Sequence, residues 1–284
     1  MERTSKRRRP HTIRRRPAMN NTLRIILIIL FGLTFIISSY MLVKSLLERQ
    51  FAIEYYQSMQ ESYEPNLPDF NPTDEQTGPD NTSGDTPAVT ERPGIIRMEN
   101  PTVTKLISEY PDVVCWITVP GTNISYPVVQ AADNDYYLRK DLDGNYLVSG
   151  TIFMDYRSNP DFSDAKTLIY GHHMKNGTMF GNIELYNDPA FLSENPDLYI
   201  VLPDLTYHYA IYAYMVVGSA DNQIYAMNDM QTEKERRDFL TYIRENARYI
   251  NDDLKPTADS LFLILSTCSY EFDDARMLLI CVAN

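Results

Sequence analysis

"LFLILSTC" (residues 261–268) and "ARMLLICVA" (275–283) are two apolar runs separated by the short acidic stretch "SYEFDD" (269–274). Runs of this length, bounded by polar residues, read as buried strands, and two so close together read as a hairpin. Such a hairpin would set Cys268, at the end of one strand, against Arg276, near the start of the next. Each residue has two readings at this point. Cys268 is either a small buried side chain or a thiol nucleophile. Arg276 either neutralises Glu271, Asp273 and Asp274, or offers its fixed fork of donors to an oxyanion or substrate carbonyl.

Working outward, the same style of segment recurs: "VVCWITVPGTNISYPVVQ", "GTIFMDY", "TLIYGHH", "LYIVL" and "YHYAIYAYMVVG". Seven or eight short strands separated by turn residues point to a mainly β barrel or sandwich. "PTVTKLISEYPD" (101–112) reads as a short helix. The other exception is 232–250, where Thr232 and Glu235 form a capping-box pattern and Phe239, Leu240, Ile243, Ala247 and Ile250 recur at helical spacing. That helix, inserted before the cysteine strand, is either a wall over a groove or a packing element.

The N-terminal part differs in kind. Residues 1–24 carry nine Lys/Arg and one acid, which leaves 17 basic and 37 acidic residues in the rest of the 284. Ile25–Val43 follows without a charge, and nineteen residues at about 1.5 Å each span a bilayer core of about 30 Å. A buried core helix and a cleaved signal peptide are the rival readings. The run exceeds a typical signal core, however, and no small-residue cleavage site precedes "KSLLERQ". The expectation is an uncleaved single-pass anchor with a cytoplasmic basic tail (1–24) and everything beyond residue 43 outside the cell. Topology and anionic lipid account for the basic cluster better than nucleic acid does. Residues 44–63 read as a helical stalk. The stretch 64–94, rich in Pro, Gly, Asp, Asn, Ser and Thr, reads as a flexible linker, so stalk and linker together span 44–94. The globular domain is expected over 95–284.

An outward-facing domain with an odd count of cysteines, Cys115, Cys268 and Cys281, leaves at least one thiol unpaired. A thiol nucleophile needs an acid–base partner, and histidine is scarce. His11 lies in the basic tail, and His208 sits in an alternating aromatic strand, where it reads as structural. "TLIYGHH" runs a strand into Gly171 and then delivers His172 and His173 to a strand end. Only one of the two can face a given site, and pattern alone does not choose between them.

The ordered set of Y-G-H (170–172), L-S-T-C (265–268) and Arg276 resembles the sortase family, most closely its class B branch. "NPTVTKLISEYPDVVCWITVPGTNISYPVVQAADNDYYL", "DGNYLVSGTIFMDYRSNPD" and "TLIYGHHMKNGTMFGNIELY" extend the likeness over about 100–284. The resemblance implies a closed eight-stranded β-barrel with an N-terminal helical segment and one inserted helix before the cysteine strand. It implies His172 as the catalytic histidine, Cys268 as nucleophile and Arg276 as the oxyanion or substrate-positioning residue. Ser266 and Thr267, Asn134 and Leu138, and Ile224 and Tyr225 would line the groove for the peptide substrate. Cys115, where relatives often have Gly, is a departure expected to affect packing only.

The implied activity is cysteine transpeptidation: cleavage of a sorting signal on secreted proteins through a thioacyl-enzyme, then transfer to a peptidoglycan-precursor amine, with hydrolysis as side reaction. Neither metal nor organic cofactor is required. A pilin polymerase using a pilin lysine is the alternative within the family. A non-catalytic envelope-binding β module, its thiol inert, is the alternative outside it.

Overall fold

The computed structural model describes residues 20–68, 94–226, 230–269, 271 and 273–283. Most of the basic tail and most of the linker expected over 64–94 lie outside these residues. The chain divides into two compact units, Met1–Leu47 and Glu48–Asn284. Helix α1 (Asn21–Tyr63) runs through the division. Its apolar part reaches a mean hydropathy of 2.5, which by length and composition suffices to cross a membrane.

From Glu48 onward the expectation of a stalk fails. Ala52, Tyr56, Met59 and Tyr63 recur at intervals of four, three and four, so they form one stripe down α1, and all four are buried against the β domain. The Tyr56 hydroxyl donates to the Gly150 carbonyl at 2.7 Å, and Gln60 Nε2 donates to the Ser125 carbonyl at 2.8 Å. The charges interleaved with that stripe gave residues 44–63 the appearance of a solvated rod.

Among the described residues ten strands follow: β1 (Ile95–Arg97), β2 (Val113–Val119), β3 (Ile124–Val129), β4 (Ile152–Met154), β5 (Lys166–Tyr170), β6 (Asp197–Val201), β7 (Leu205–Gly218), β8 (Tyr249–Ile250), β9 (Leu261–Cys268) and β10 (Ala275–Ala283). Eight close into a ring in the order β7-β10-β9-β5-β4-β3-β2-β6 and back to β7. The β3–β4 and β5–β9 pairs are parallel and the other ring pairs antiparallel. The barrel reading therefore holds over the sandwich. β7, at 14 residues, outruns both ring neighbours; β1 pairs with its first three residues beside β10, and β8 pairs with Ala213 and Tyr214 beyond the reach of β6.

Alternation along β9 shows why its sequence is one unbroken apolar run. Leu263 and Leu265 point into the barrel core, while Phe262 and Ile264 pack outside it. Helix α5 (Glu233–Asn246) covers that outer face with Phe239, Leu240 and Ile243, each burial contributing about 1.5–3 kcal/mol. The Thr232–Glu235 capping box starts the helix as expected. It stops four residues short of Ile250, because Ala247 turns extended and the β7 backbone takes over: Arg248 and Asn251 donate N–H groups to the Tyr214 and Tyr212 carbonyls at 2.9 and 2.7 Å. Helix α2 (Pro101–Glu109), opened by Pro101, tucks Val103 and Leu106 beside Trp116, and the short α3 (Pro189–Glu194) buries Leu192.

Candidate active site

The β9–β10 register runs without a slip from Leu261 opposite Ala283 to Cys268 opposite Arg276. The turn that follows Cys268 closes with Ser269 N donating to the Ala275 carbonyl at 2.8 Å. Arg248 holds Glu271 of this turn through two contacts, one of 2.8 Å. Arg276 instead donates to the Ala275 carbonyl at 3.0 Å and lines a cavity of about 350 Å³. Cys268, Ser266 and Thr267 line the same cavity.

β5 lies parallel to β9 on the other side, with Tyr170 opposite Ser266. Its path continues through Gly171, whose N–H reaches the Ser266 carbonyl at 3.2 Å, to His172. The Phe180 ring crowds Gly171 so closely that a Cβ there would lie 2.7 Å from it, which excludes any larger residue before the histidine. Alternation then separates the two histidines. His172 lines the cavity with Tyr170. His173 turns away, its side chain only 6% exposed and its Nε2 3.2 Å from Glu184.

His172 Nε2 lies 2.7 Å from the Leu138 carbonyl. A carbonyl only accepts, so Nε2 carries a hydrogen and Nδ1 is the nitrogen left to exchange a proton. Burial holds the imidazole below its ordinary value of 6.5; the Leu138 contact opposes this and the nearby Arg139 adds to it. Leu138 belongs to a single 3₁₀ turn, Tyr136–Arg139, and Gly150 packs on that turn at φ +57°. A Cβ at Gly150 would stand 2.5 Å from the Leu138 oxygen.

Asn134, Phe153, Ser219 and Tyr225 complete the walls. The Tyr225 hydroxyl is 2.9 Å from Ser266 Oγ, and its ring stacks on Tyr170 at 6.4 Å and 15°. Burial pushes the Tyr225 phenol up to about 12, so it stays neutral. Of the expected groove residues, Ile224 is the one kept away: it is fully buried beneath α5 and does not line the cavity. Phe153, Tyr170 and Ser219 line it without having been anticipated. For Tyr170 a signal existed, since residues two apart on a strand share a face and His172 was already a candidate. Ser219, just past the end of β7, carried none.

The other two thiols are inert by position. Cys115 and Cys281 are fully buried, and loss of solvent raises both thiols well above the ordinary range. No disulfide joins any of the three. A larger cavity, about 390 Å³ between α1 and the barrel, is lined by Tyr56, Gln60, Ser125, Asn176 and others, with no cysteine or histidine. Among the described residues, no group of three or more His, Cys, Asp or Glu is arranged to hold a metal ion.

A sequence model of the sortase domain matches residues 117–284, more than half of the chain. The chain belongs to the sortase family. It is 33% identical to sortase B of Listeria monocytogenes over 162 residues, covering 57% of this chain and 65% of that protein. It is 28% identical to sortase B of Staphylococcus aureus, covering 61% and 70%. The aligned part thus spans a little under two thirds of the Listeria relative's length. Among solved structures, Clostridium perfringens sortase B superposes with a TM-score of 0.60 at 28% identity, over 63% of this chain and 97% of that one. A Streptococcus pyogenes class B sortase involved in pilus biogenesis gives 0.57 at 30%, over 63% and 96%. This sortase is therefore B-like in sequence and in fold.

Proposed function

We propose that this chain is a membrane-anchored cysteine transpeptidase whose nucleophile is Cys268. The observation that carries the reading is the meeting of Cys268, Arg276 and His172 on one cavity, with the remaining thiols sealed in the core. In the proposed reaction the Cys268 thiolate attacks a backbone carbonyl of a bound peptide. Arg276 donates hydrogen bonds to the oxygen as it takes up negative charge. Collapse expels the downstream amine, to which His172 in its protonated form delivers a proton. A thioacyl-enzyme remains on Cys268. An incoming amine gives its proton to His172 and displaces the sulfur, forming the new amide; water in its place yields hydrolysis.

The peptide is taken to be the sorting signal of a secreted protein, bound along Asn134, Tyr225, Ser266 and Thr267. The basic cluster before the apolar helix argues for a cytoplasmic N-terminus, with residues 44–284 outside. The acceptor is taken to be a peptidoglycan-precursor amine. The likeness to a class B sortase involved in pilus biogenesis keeps a pilin lysine as the second reading.

The test uses the full chain in detergent micelles with a library of fluorogenic peptides. Each peptide is offered with either a peptidoglycan stem-peptide amine or a lysine peptide as acceptor. Peptide–amine conjugates are expected, and which acceptor is consumed separates the two readings. Undiminished conjugate formation by the Cys268→Ala chain would sink the proposal.

A further inference from the structure

Two cations unused by this chemistry stand behind the cavity wall. Helix α4 (Asn222–Tyr225) is a single turn, too short to persist without outside support. Lys166, at the start of β5, is buried and sends its ammonium to three carbonyls at the C-terminal end of that turn. The distances are 3.1 Å to Gln223, 2.9 Å to Ile224 and 2.8 Å to Ala226. The carbonyl in between, that of Tyr225, receives Arg157 Nη2 at 3.3 Å. Carbonyls that a short helix leaves without partners are thus met by positive charge, which also suits the negative end of the helix.

Arg157 is itself fixed. Its Nε and Nη2 form a fork on Asp155 at 2.8 and 2.7 Å, and the Asp155 side chain is wholly buried. Asp155 also accepts from Asn134 Nδ2 and from the Tyr170 hydroxyl, each at 3.0 Å. One carboxylate therefore gathers Asn134 and Tyr170 directly and the Tyr225 backbone through Arg157. Those three residues come from separate segments, and all line the cavity that holds Cys268.

We infer that Lys166 and the Asp155–Arg157 pair are positioning residues that hold the Tyr225 wall and Asn134 at the spacing the peptide needs, and so set substrate affinity while leaving the reacting groups alone. None of the three lines the cavity, so each acts through another residue. This inference rests on the peptide-transfer reading above. It separates two sets of residues: Cys268, Arg276 and His172 carry the chemistry, and the clamped α4 turn with Asn134 adds grip on the peptide.

The experiment takes the full chain in detergent micelles and the fluorogenic library peptide that the unaltered chain turns over fastest. Lys166→Met and Arg157→Gln are each expected to raise KM about tenfold and leave kcat within about twofold, the signature of lost binding common to ground and transition states. The rate at which iodoacetamide alkylates Cys268 should not change in either variant. An unchanged KM in folded Arg157→Gln, or a fall in kcat at constant KM, overturns the inference. Arg157 lies partly at the surface, so its variant decides the matter should Lys166→Met fail to fold. A lack of turnover by the unaltered chain would instead sink the transferase reading, and the inference with it.

Discussion

Cys268 and Cys281 stand on the two strands of one hairpin and differ in everything that governs a thiol. Opposite Cys281 the register places Leu263, and the pair is sealed in the barrel core. Opposite Cys268 it places Arg276, and the pair opens on a cavity that His172 reaches from a third strand. A hydrophobic surround removes the solvation a thiolate needs and so keeps Cys281 protonated, whereas Cys268 stands where a substrate can reach it. On the proposed reading, reactivity is a property of register. Sliding β10 by one residue would carry Arg276 out of line with Cys268 and turn its side chain to the other face.

The contrast breaks most sharply if Cys281 proves necessary for turnover. Cys268→Ala is expected to abolish conjugate formation, while Cys281→Ala retains it at temperatures where the protein is folded. His172→Ala should lower kcat/KM about 10²–10⁴-fold, the usual worth of general acid–base help. His173→Ala, which loses the contact to Glu184, should stay within about tenfold of the unaltered chain; equal losses would mean the histidines are misassigned. Arg276→Lys keeps the charge and loses the fork, and about 10²–10³-fold in kcat is expected from the missing donor.

Smaller effects sharpen the same comparison through stability. Cys281→Ser puts a hydroxyl into an apolar core and should cost about 1–3 kcal/mol in denaturant unfolding, with kcat untouched. His172 should titrate below 6.5 when followed by NMR in the Cys268→Ala chain. Because its folded value is depressed, the unfolded chain binds more protons as pH drops. Its contribution to stability is therefore present above 6.5 and lost as pH falls through the folded value. His172→Gln should flatten that part of the stability profile, and a profile unchanged by the substitution would contradict the burial argument.

The hairpin, the inserted helix and the strand alternation were readable because each is written in local spacing: the Thr232–Glu235 box and the unbroken apolar run of β9 need no distant partner to be recognised. The choice between His172 and His173 was not readable from pattern, since adjacent residues on a strand always face opposite ways and only the position of β9 says which way is inward. Family likeness chose His172, and the cavity is lined by that residue. Ile224 and Tyr225 show the same limit, as neighbours of similar character of which one is core and the other wall. The end of α5 was misjudged because Ala247 and Ile250 keep helical spacing, while the tie to β7 that stops the helix comes from residues more than thirty positions earlier. The α1 stripe was missed because four apolar contacts among charges resemble a solvated helix until the surface they meet is known.

That stripe has a consequence for the covalent chain. Residues 52–63 are fastened to the barrel by Tyr56, Gln60 and the buried apolar contacts, and the chain joins the sheet again at β1. Side chains fasten that segment to the barrel. A recombinant fragment beginning at residue 95 would lack the helix that covers its own surface.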